Sequence, residues 1–184
     1  MHKEIQPSSI LSPTPVVLVG AMVHGKANFS SISTIGKVGV NPPLIAVSLK
    51  KDSISVIGID EFKMFSVNLP SSELLKRVDV CRIFSGTEID KEMLFDFRIT
   101  ENIPHITDCK VNLFVDVKHR IEEENVVIYI GQVVKTLVDE QLFMNDALSM
   151  QNMRGIFEGP DQIYYTSGRR IGAVYQEGKH IIHE

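Results

Sequence analysis

Two consecutive runs of alternating residues, Val111 to Lys118 and Val126 to Leu137, constrain the fold of this chain more than any other feature. In the first run Val111, Leu113, Val115 and Val117 fall on one face, and Asn112, Asp116 and Lys118 fall on the other. Successive side chains of a strand point to opposite faces, so this period of two is the pattern of a half-buried antiparallel strand. Glu122, Glu123, Glu124 and Asn125 make a charged turn, after which Val126, Ile128 and Ile130 restart the alternation. A long hairpin is the economical reading. Three shorter runs, Val16 to Met22, Leu44 to Leu49 and Phe65 to Leu69, follow the same grammar between Gly, Pro and Asn breakers.

Helical patterning is confined to short stretches. After Pro70, Ser71 or Ser72 can cap a segment in which Leu74, Leu75, Val78 and Cys81 share one face while Glu73, Lys76 and Asp79 lie outside it. Two further short helices are expected. One covers Ser53 to Phe62, begun by Ser53 and interrupted by Gly58; the other covers Thr87 to Leu94, where Thr87 with Asp90 imitates a capping box. Many strands with few helices predict a mainly β protein with short helices, a closed or nearly closed barrel. At 184 residues, with no repeat, low-complexity tract or linker, residues 1–184 are read as a single domain.

Composition excludes several functions. A net charge of -4 argues against a partner held by electrostatics, so neither nucleic acid nor an anionic membrane is expected. Cys81 and Cys109 belong to no CxxC pair, which supports neither a disulfide framework nor a cysteine zinc site and suits a reducing compartment. The apolar run from Val16 to Val23 is short, follows Pro13 and Pro15 and contains Gly20, unlike a targeting or membrane segment, so a cytoplasmic location is expected. No GxSxG, HExxH or P-loop is present, and Gly36-Lys37-Val38-Gly39 is too short for a dinucleotide fingerprint. No catalytic side chain is nominated. No metal is expected either: His180 and His183 alone are closely spaced, in what reads as a tail.

Three segments carry candidate chemistry. Asn28-Phe29-Ser30-Ser31-Ile32-Ser33-Thr34 places five small polar side chains in seven positions, which suits a hydrogen-bonding wall for a planar polar ligand and equally a polar edge strand. The apolar run ending at Ser48-Leu49 emerges into Lys50-Lys51, with Ser53 at a helix start and Ser55 just inside it. Lysine charge, hydroxyls and free N–H groups at a helix amino end are what a phosphate dianion requires, although paired lysines are also common on solvated strand ends. The third segment is Ser85-Gly86-Thr87 with Asp90-Lys91. Tyr164-Tyr165 and Arg169-Arg170 could cover a ligand or a subunit interface, or belong to a plain last strand turning at Ser167-Gly168.

The order of the pieces adds to their content. Pro15-Val16-Val17-Leu18-Val19, Gly25-Lys26-Ala27-Asn28, Asn41-Pro42-Pro43-Leu44-Ile45-Ala46-Val47-Ser48, Phe65-Ser66-Val67-Asn68-Leu69-Pro70 and Ser85-Gly86 with Asp90-Lys91 together resemble the flavin reductase-like family, nearest its flavoredoxin branch. Ile130-Gly131-Gln132-Val133 resembles the family's second hairpin strand, and Tyr164 through Gly172 its closing strand. The resemblance implies an FMN-binding split β-barrel, antiparallel and Greek-key-like, working as a homodimer with FMN near the subunit interface. It implies that Asn28, Phe29, Ser30, Ser31, Ser33 and Thr34 line the isoalloxazine. Ser48, Leu49, Lys50, Lys51, Ser53 and Ser55 would receive the ribityl chain and phosphate, and Lys91 would reach the flavin. Two departures stand out: Gln132 where many members have glutamate, and Thr34 or Ile35 where an aromatic residue is common. The implied function is an FMN-dependent oxidoreductase that takes electrons from NAD(P)H or a protein donor and passes them to free flavin or a redox partner. The alternative is a non-turnover FMN-binding carrier or small-ligand module.

Overall fold

In the computed structural model, residues 2–144 and 147–177 are described. The predicted hairpin is present and longer than the alternation alone implied: β9 (Val111–Glu122) pairs antiparallel with β10 (Val126–Val138), from Val127 opposite Glu122 to Val138 opposite Val111. Bulges between Ile130 and Gly131 and between Val133 and Lys135 bend it. The chain before the hairpin forms β1 (Thr14–Pro15), β2 (Val17–Val23), β3 (Lys26–Ile32), β4 (Ile35–Gly39), β5 (Leu44–Lys50), α1 (Ile54–Phe62), β6 (Met64–Leu69), α2 (Leu75–Ile83), β7 (Phe97–Thr100) and β8 (Ile103–Ile106). After it come β11 (Phe143–Met144), β12 (Ala147–Leu148), α3 (Met150–Met153), β13 (Ile156–Glu158) and β14 (Tyr164–Thr166).

Seven strands make the main sheet in the order β3-β2-β6-β9-β10-β5-β4, every pair antiparallel. Its two end strands are consecutive in the chain, joined through Ser33 and Thr34. Strands lie about 4.8 Å apart, so a flat sheet of this order would separate its ends by roughly 29 Å. The step from Ile32 to Ile35 spans at most about 10 Å. The sheet therefore has to curl into a barrel that is left open between β3 and β4, which is the split-barrel fold.

The barrel interior holds Val17, Val19, Ala21, Val47, Leu49, Phe65, Val67, Val115, Val127 and Tyr129, with Ile59 of α1 packed against them. A second cluster, on the outer face of β2 and β3, joins Val16, Leu18, Ala27 and Phe29 to Leu74, Val78 and Cys81 of the α2 region and to Phe95 and Ile106. Burial on both faces explains why Val16 to Val23 reads as a continuous apolar run rather than an alternating one.

Asn112, placed by its alternation on the outer face of β9, is nevertheless buried at 5 % exposure, because β8 covers that part of the sheet. β8 is fixed there by side chains. Ser66 Oγ donates to the Pro104 carbonyl (2.5 Å), Ile106 N–H donates to Asn68 Oδ1 (2.9 Å), and Asn112 Nδ2 donates to Asn68 Oδ1 (2.8 Å) and to the Ile106 carbonyl (2.9 Å).

The helices match in part. α1 begins after Ser53, as expected, and Gly58 serves packing, since a Cβ there would strike the Met22 carbonyl of β2. The segment after Pro70 opens with a 3₁₀ turn at Ser72–Leu74 before α2, which buries Val78 and Cys81. The expected Thr87 to Leu94 helix does not form beyond a 3₁₀ turn at Lys91–Leu94. Its two capping residues are engaged elsewhere: Thr87 Oγ1 bonds Ser85 Oγ (2.8 Å), and Asp90 pairs with Lys26 (2.7 Å). The closing strand stops at Thr166, short of Arg169. Among the described residues no helix is long and apolar enough to cross a membrane, and no three His, Cys, Asp or Glu side chains are grouped to hold a metal. His180 and His183 lie outside the described residues.

Candidate functional site

Strand alternation on β3 sends Asn28 and Ser30 to the side on which α1 begins and Phe29 to the opposite side. Phe29 is fully buried and meets Phe95 and Phe97 edge to face, so its side chain belongs to the outer core. Leu49 likewise points into the barrel. Asn28 Nδ2 donates to Ser55 Oγ (2.8 Å), Ser55 Oγ contacts Ser30 Oγ (2.9 Å), and Ser30 Oγ lies 3.5 Å from Ser53 Oγ. Four of the sequence candidates thus form one contiguous cluster between β3 and the first turn of α1. Ser55 is its innermost member, with no exposed surface.

The amino end of α1 is prepared for an anion. Ser53 occupies the N-cap backbone position but its side chain caps nothing, and no acidic residue stands in the first turn. The amide groups there carry partial positive charge. Exposed Lys50 ends β5 just before this turn. Lys51 behaves differently: its ammonium pairs with Glu122 at the hairpin tip, and its N–H donates to the Asn125 carbonyl (3.1 Å). Glu122 also accepts from Arg120 (2.7 Å), and the two cations, Lys51 first, hold its carboxyl down at about 2. Arg120 continues to Asp60 of α1 (3.0 Å), which accepts from the Tyr129 hydroxyl (3.1 Å). This chain of charges ties both ends of α1 to the hairpin. Sequence reading missed it, although Arg120 and Glu122, two apart on one strand, already share a face.

Thr34 and Ser48 extend the β4–β5 ladder by one step beside the opening: Ser48 N–H donates to the Thr34 carbonyl (2.9 Å) and Thr34 Oγ1 to the Ser48 carbonyl (2.6 Å). Ser33 lies near Glu158, whose carboxylate accepts from Arg82 (2.7 Å) and, despite its burial, is held below its ordinary pKa in part by these two side chains. Ser31 lies on the same side of β3 as Phe29, and its buried hydroxyl has no partner among the described residues.

A cleft of about 630 Å³ opens beside the cluster, lined among others by His24, Lys26, Asn28, Ile54, Gly86 and Lys91. Gly86 lets the loop lie against the site, for a Cβ there would collide with Asn28 Oδ1 and the Ile54 side chain. Lys91 is only 4 % exposed and donates to the Cys81 carbonyl (2.9 Å) in the last turn of α2, a position where backbone carbonyls attract a cation. Burial lowers its ammonium pKa from the ordinary lysine value.

Tyr164 and Tyr165 donate to Asp79 (2.8 Å) and Asp161 (2.5 Å). Arg169 and Arg170 border a separate, largely apolar cleft of about 1080 Å³ with Phe157 and Met150. An uncapped helix start beside an exposed lysine and a hydroxyl suits a phosphate, and the adjoining cleft with its amide and hydroxyl groups suits a flat polar ring. The residues present therefore fit an FMN.

The family described as "Flavin reductase like domain" matches residues 10–159, and the chain belongs to it. Among solved structures, the flavoredoxin of Methanosarcina acetivorans is 30 % identical, with a TM-score of 0.92 over 98 % of this chain and 100 % of that one. The flavoredoxin of Desulfovibrio vulgaris (Miyazaki F) is 25 % identical, with a TM-score of 0.90 over 97 % and 100 %. Component B of a nitrilotriacetate monooxygenase from Bacillus cereus shares the fold at 17 % identity, with a TM-score of 0.82 over 94 % and 98 %. No curated protein sequence matches the chain. The family and the fold expected from the ordered motifs are borne out, and the FMN expectation agrees with the family.

Proposed function

We propose that this chain is an FMN-binding oxidoreductase of the flavoredoxin kind that works as a cytoplasmic homodimer, each chain a single domain. It takes electrons from NAD(P)H or a protein donor and passes them to flavin or a redox partner. The observation that carries the reading is the juxtaposition of the Asn28, Ser30, Ser53 and Ser55 cluster with exposed Lys50 at the uncapped start of α1. Lys50 and Ser53 hold the phosphate. Asn28 orients the ring, and Ser30 with the small residues after it leaves room beside one of its faces for a donor. When bound, FMN supplies two-electron redox chemistry that no protein side chain offers. Two free, buried cysteines suit the reducing location.

The test is uptake of FMN by the purified chain, followed by anaerobic mixing with NADH and with NADPH while the yellow absorbance is followed. Binding with rapid bleaching supports the oxidoreductase. Binding without bleaching by either nucleotide assigns the chain to the carrier class, and failure to take up FMN refutes both. Size-exclusion chromatography with light scattering checks the dimer.

A further inference from the structure

We infer that Asn28 and Ser55 are positioning residues: they set the direction of a hydrogen-bond relay through Ser30 that ends with the Ser53 hydroxyl donating its proton to the FMN phosphate. The inference rests on the proposed phosphate site at Lys50 and Ser53 and deepens it.

Direction follows from counting donors. The Asn28 Nδ2 group can only donate, so Ser55 Oγ accepts from it at 2.8 Å. Ser55 has no exposed surface, and the other side-chain partner of its hydroxyl among the described residues is Ser30 Oγ at 2.9 Å. A buried hydroxyl proton goes to an acceptor, so Ser55 donates to Ser30. Ser30 is itself buried at 9 % exposure, and with the Ser55 proton on its lone pair its own proton is left to turn toward Ser53 Oγ, the long link of the relay at 3.5 Å. Ser53 caps nothing in its own helix. Its proton is the one left to point outward, beside Lys50 and the free amides of α1. Each donor in such a chain strengthens the next. The buried asparagine thereby presents a donor, rather than a lone pair, to an anion it does not touch.

The experiment measures affinity of the flavin-free full chain for FMN and for riboflavin, which lacks the phosphate, by flavin fluorescence quenching. Ser55→Ala is expected to weaken FMN about fivefold and to leave riboflavin unchanged, the size of one redirected hydrogen bond. Ser53→Ala is expected to do the same, and the Ser53→Ala, Ser55→Ala double variant to bind FMN no more weakly than Ser53→Ala alone, because both changes cut one relay. Ser30→Ala cuts the relay nearer its end and serves where Ser55→Ala does not fold. Additive losses in the double variant would overturn the relay, as would equal losses of FMN and riboflavin in Ser55→Ala or Ser30→Ala. Lys50→Ala separates the two levels. If it abolishes the preference for FMN over riboflavin while Ser55→Ala and Ser30→Ala keep it, the relay fails and the phosphate site stands. If Lys50→Ala and Ser53→Ala both keep the preference, the site itself is refuted.

Discussion

Asn68→Ala should be among the most destabilising single changes outside the apolar core. The side chain has no exposed surface and makes four hydrogen bonds, donating to the Leu18 carbonyl (2.8 Å) and Ser66 Oγ (2.9 Å) and accepting from Ile106 N–H (2.9 Å) and Asn112 Nδ2 (2.8 Å). Truncation does not strand every partner. Ser66 keeps the Pro104 carbonyl and Asn112 keeps the Ile106 carbonyl. The Ile106 N–H and one acceptor site on Leu18 lose their partners, at about 1–3 kcal/mol each. With the small void left behind, the loss comes to about 3–5 kcal/mol, a large part of the roughly 5–15 kcal/mol that holds a protein of this kind folded. Urea unfolding followed by circular dichroism, with the slope checked for constancy, gives the number. Ser66→Ala, which removes one donor and leaves the Pro104 carbonyl unpaired, provides a smaller step on the same scale. Amide exchange at Ile106 should accelerate more than exchange in β10. A loss under about 1 kcal/mol with unchanged exchange at Ile106 would refute the claim that these amides, rather than apolar packing alone, dock β8 on the sheet.

Three further outcomes are expected. Glu122→Gln should lower stability at neutral pH, with a shrinking difference from the unchanged chain as the solution is acidified. The folded carboxyl is held at about 2, below its ordinary 4.5, so its contribution is complete above that ordinary value and disappears as pH falls through the folded one; urea midpoints at pH 7 and pH 3 measure it, and an equal difference at both would count against the ion-pair chain. Burial pushes the Cys81 thiol up to about 11 and the Cys109 thiol higher still, so a disulfide reagent at pH 8 should modify neither until urea unfolds the chain. Rapid labelling of the native protein would contradict their placement. Gly86→Ala should cost about 1–3 kcal/mol by overpacking and weaken FMN binding, because the added methyl strikes Asn28 and Ile54. Thermal unfolding and flavin titration read the two effects, and unchanged FMN affinity would detach this loop from the site.

Local patterning was enough to identify the hairpin, the strands at Val16, Leu44 and Phe65, and the helix beginning after Ser53, because in each the period of two or a serine before an apolar stretch is carried by adjacent residues. It also gathered Asn28, Ser30, Ser53 and Ser55 as candidates. What escaped it depends on residues distant in the chain. Nothing beside Lys51 announces that Glu122 will take its charge, and nothing beside Lys91 announces that it will be folded under α2 onto the Cys81 carbonyl. Asn112 reads as solvent-facing until β8 lies over it. Thr87 and Asp90 have cap-like spacing but find better partners in Ser85 and in Lys26, the latter 64 residues away.

The step from β3 to β4 has a consequence for how the chain folds. Joining the two ends of a sheet is usually among the most distant and slowest contacts a barrel makes, since a long loop must be closed first. Here the ends are sequence neighbours, and the distant pairings, such as Leu18 with Asn68, lie in the middle of the sheet instead. Once β3 has paired with β2 and β4 with β5, both local hairpins, the covalent link at Ser33 and Thr34 has already drawn the edges together. The peptide bonds across the opening hold the barrel shut where the ladder is missing, and that gap can widen or narrow without the loss of a single strand pair.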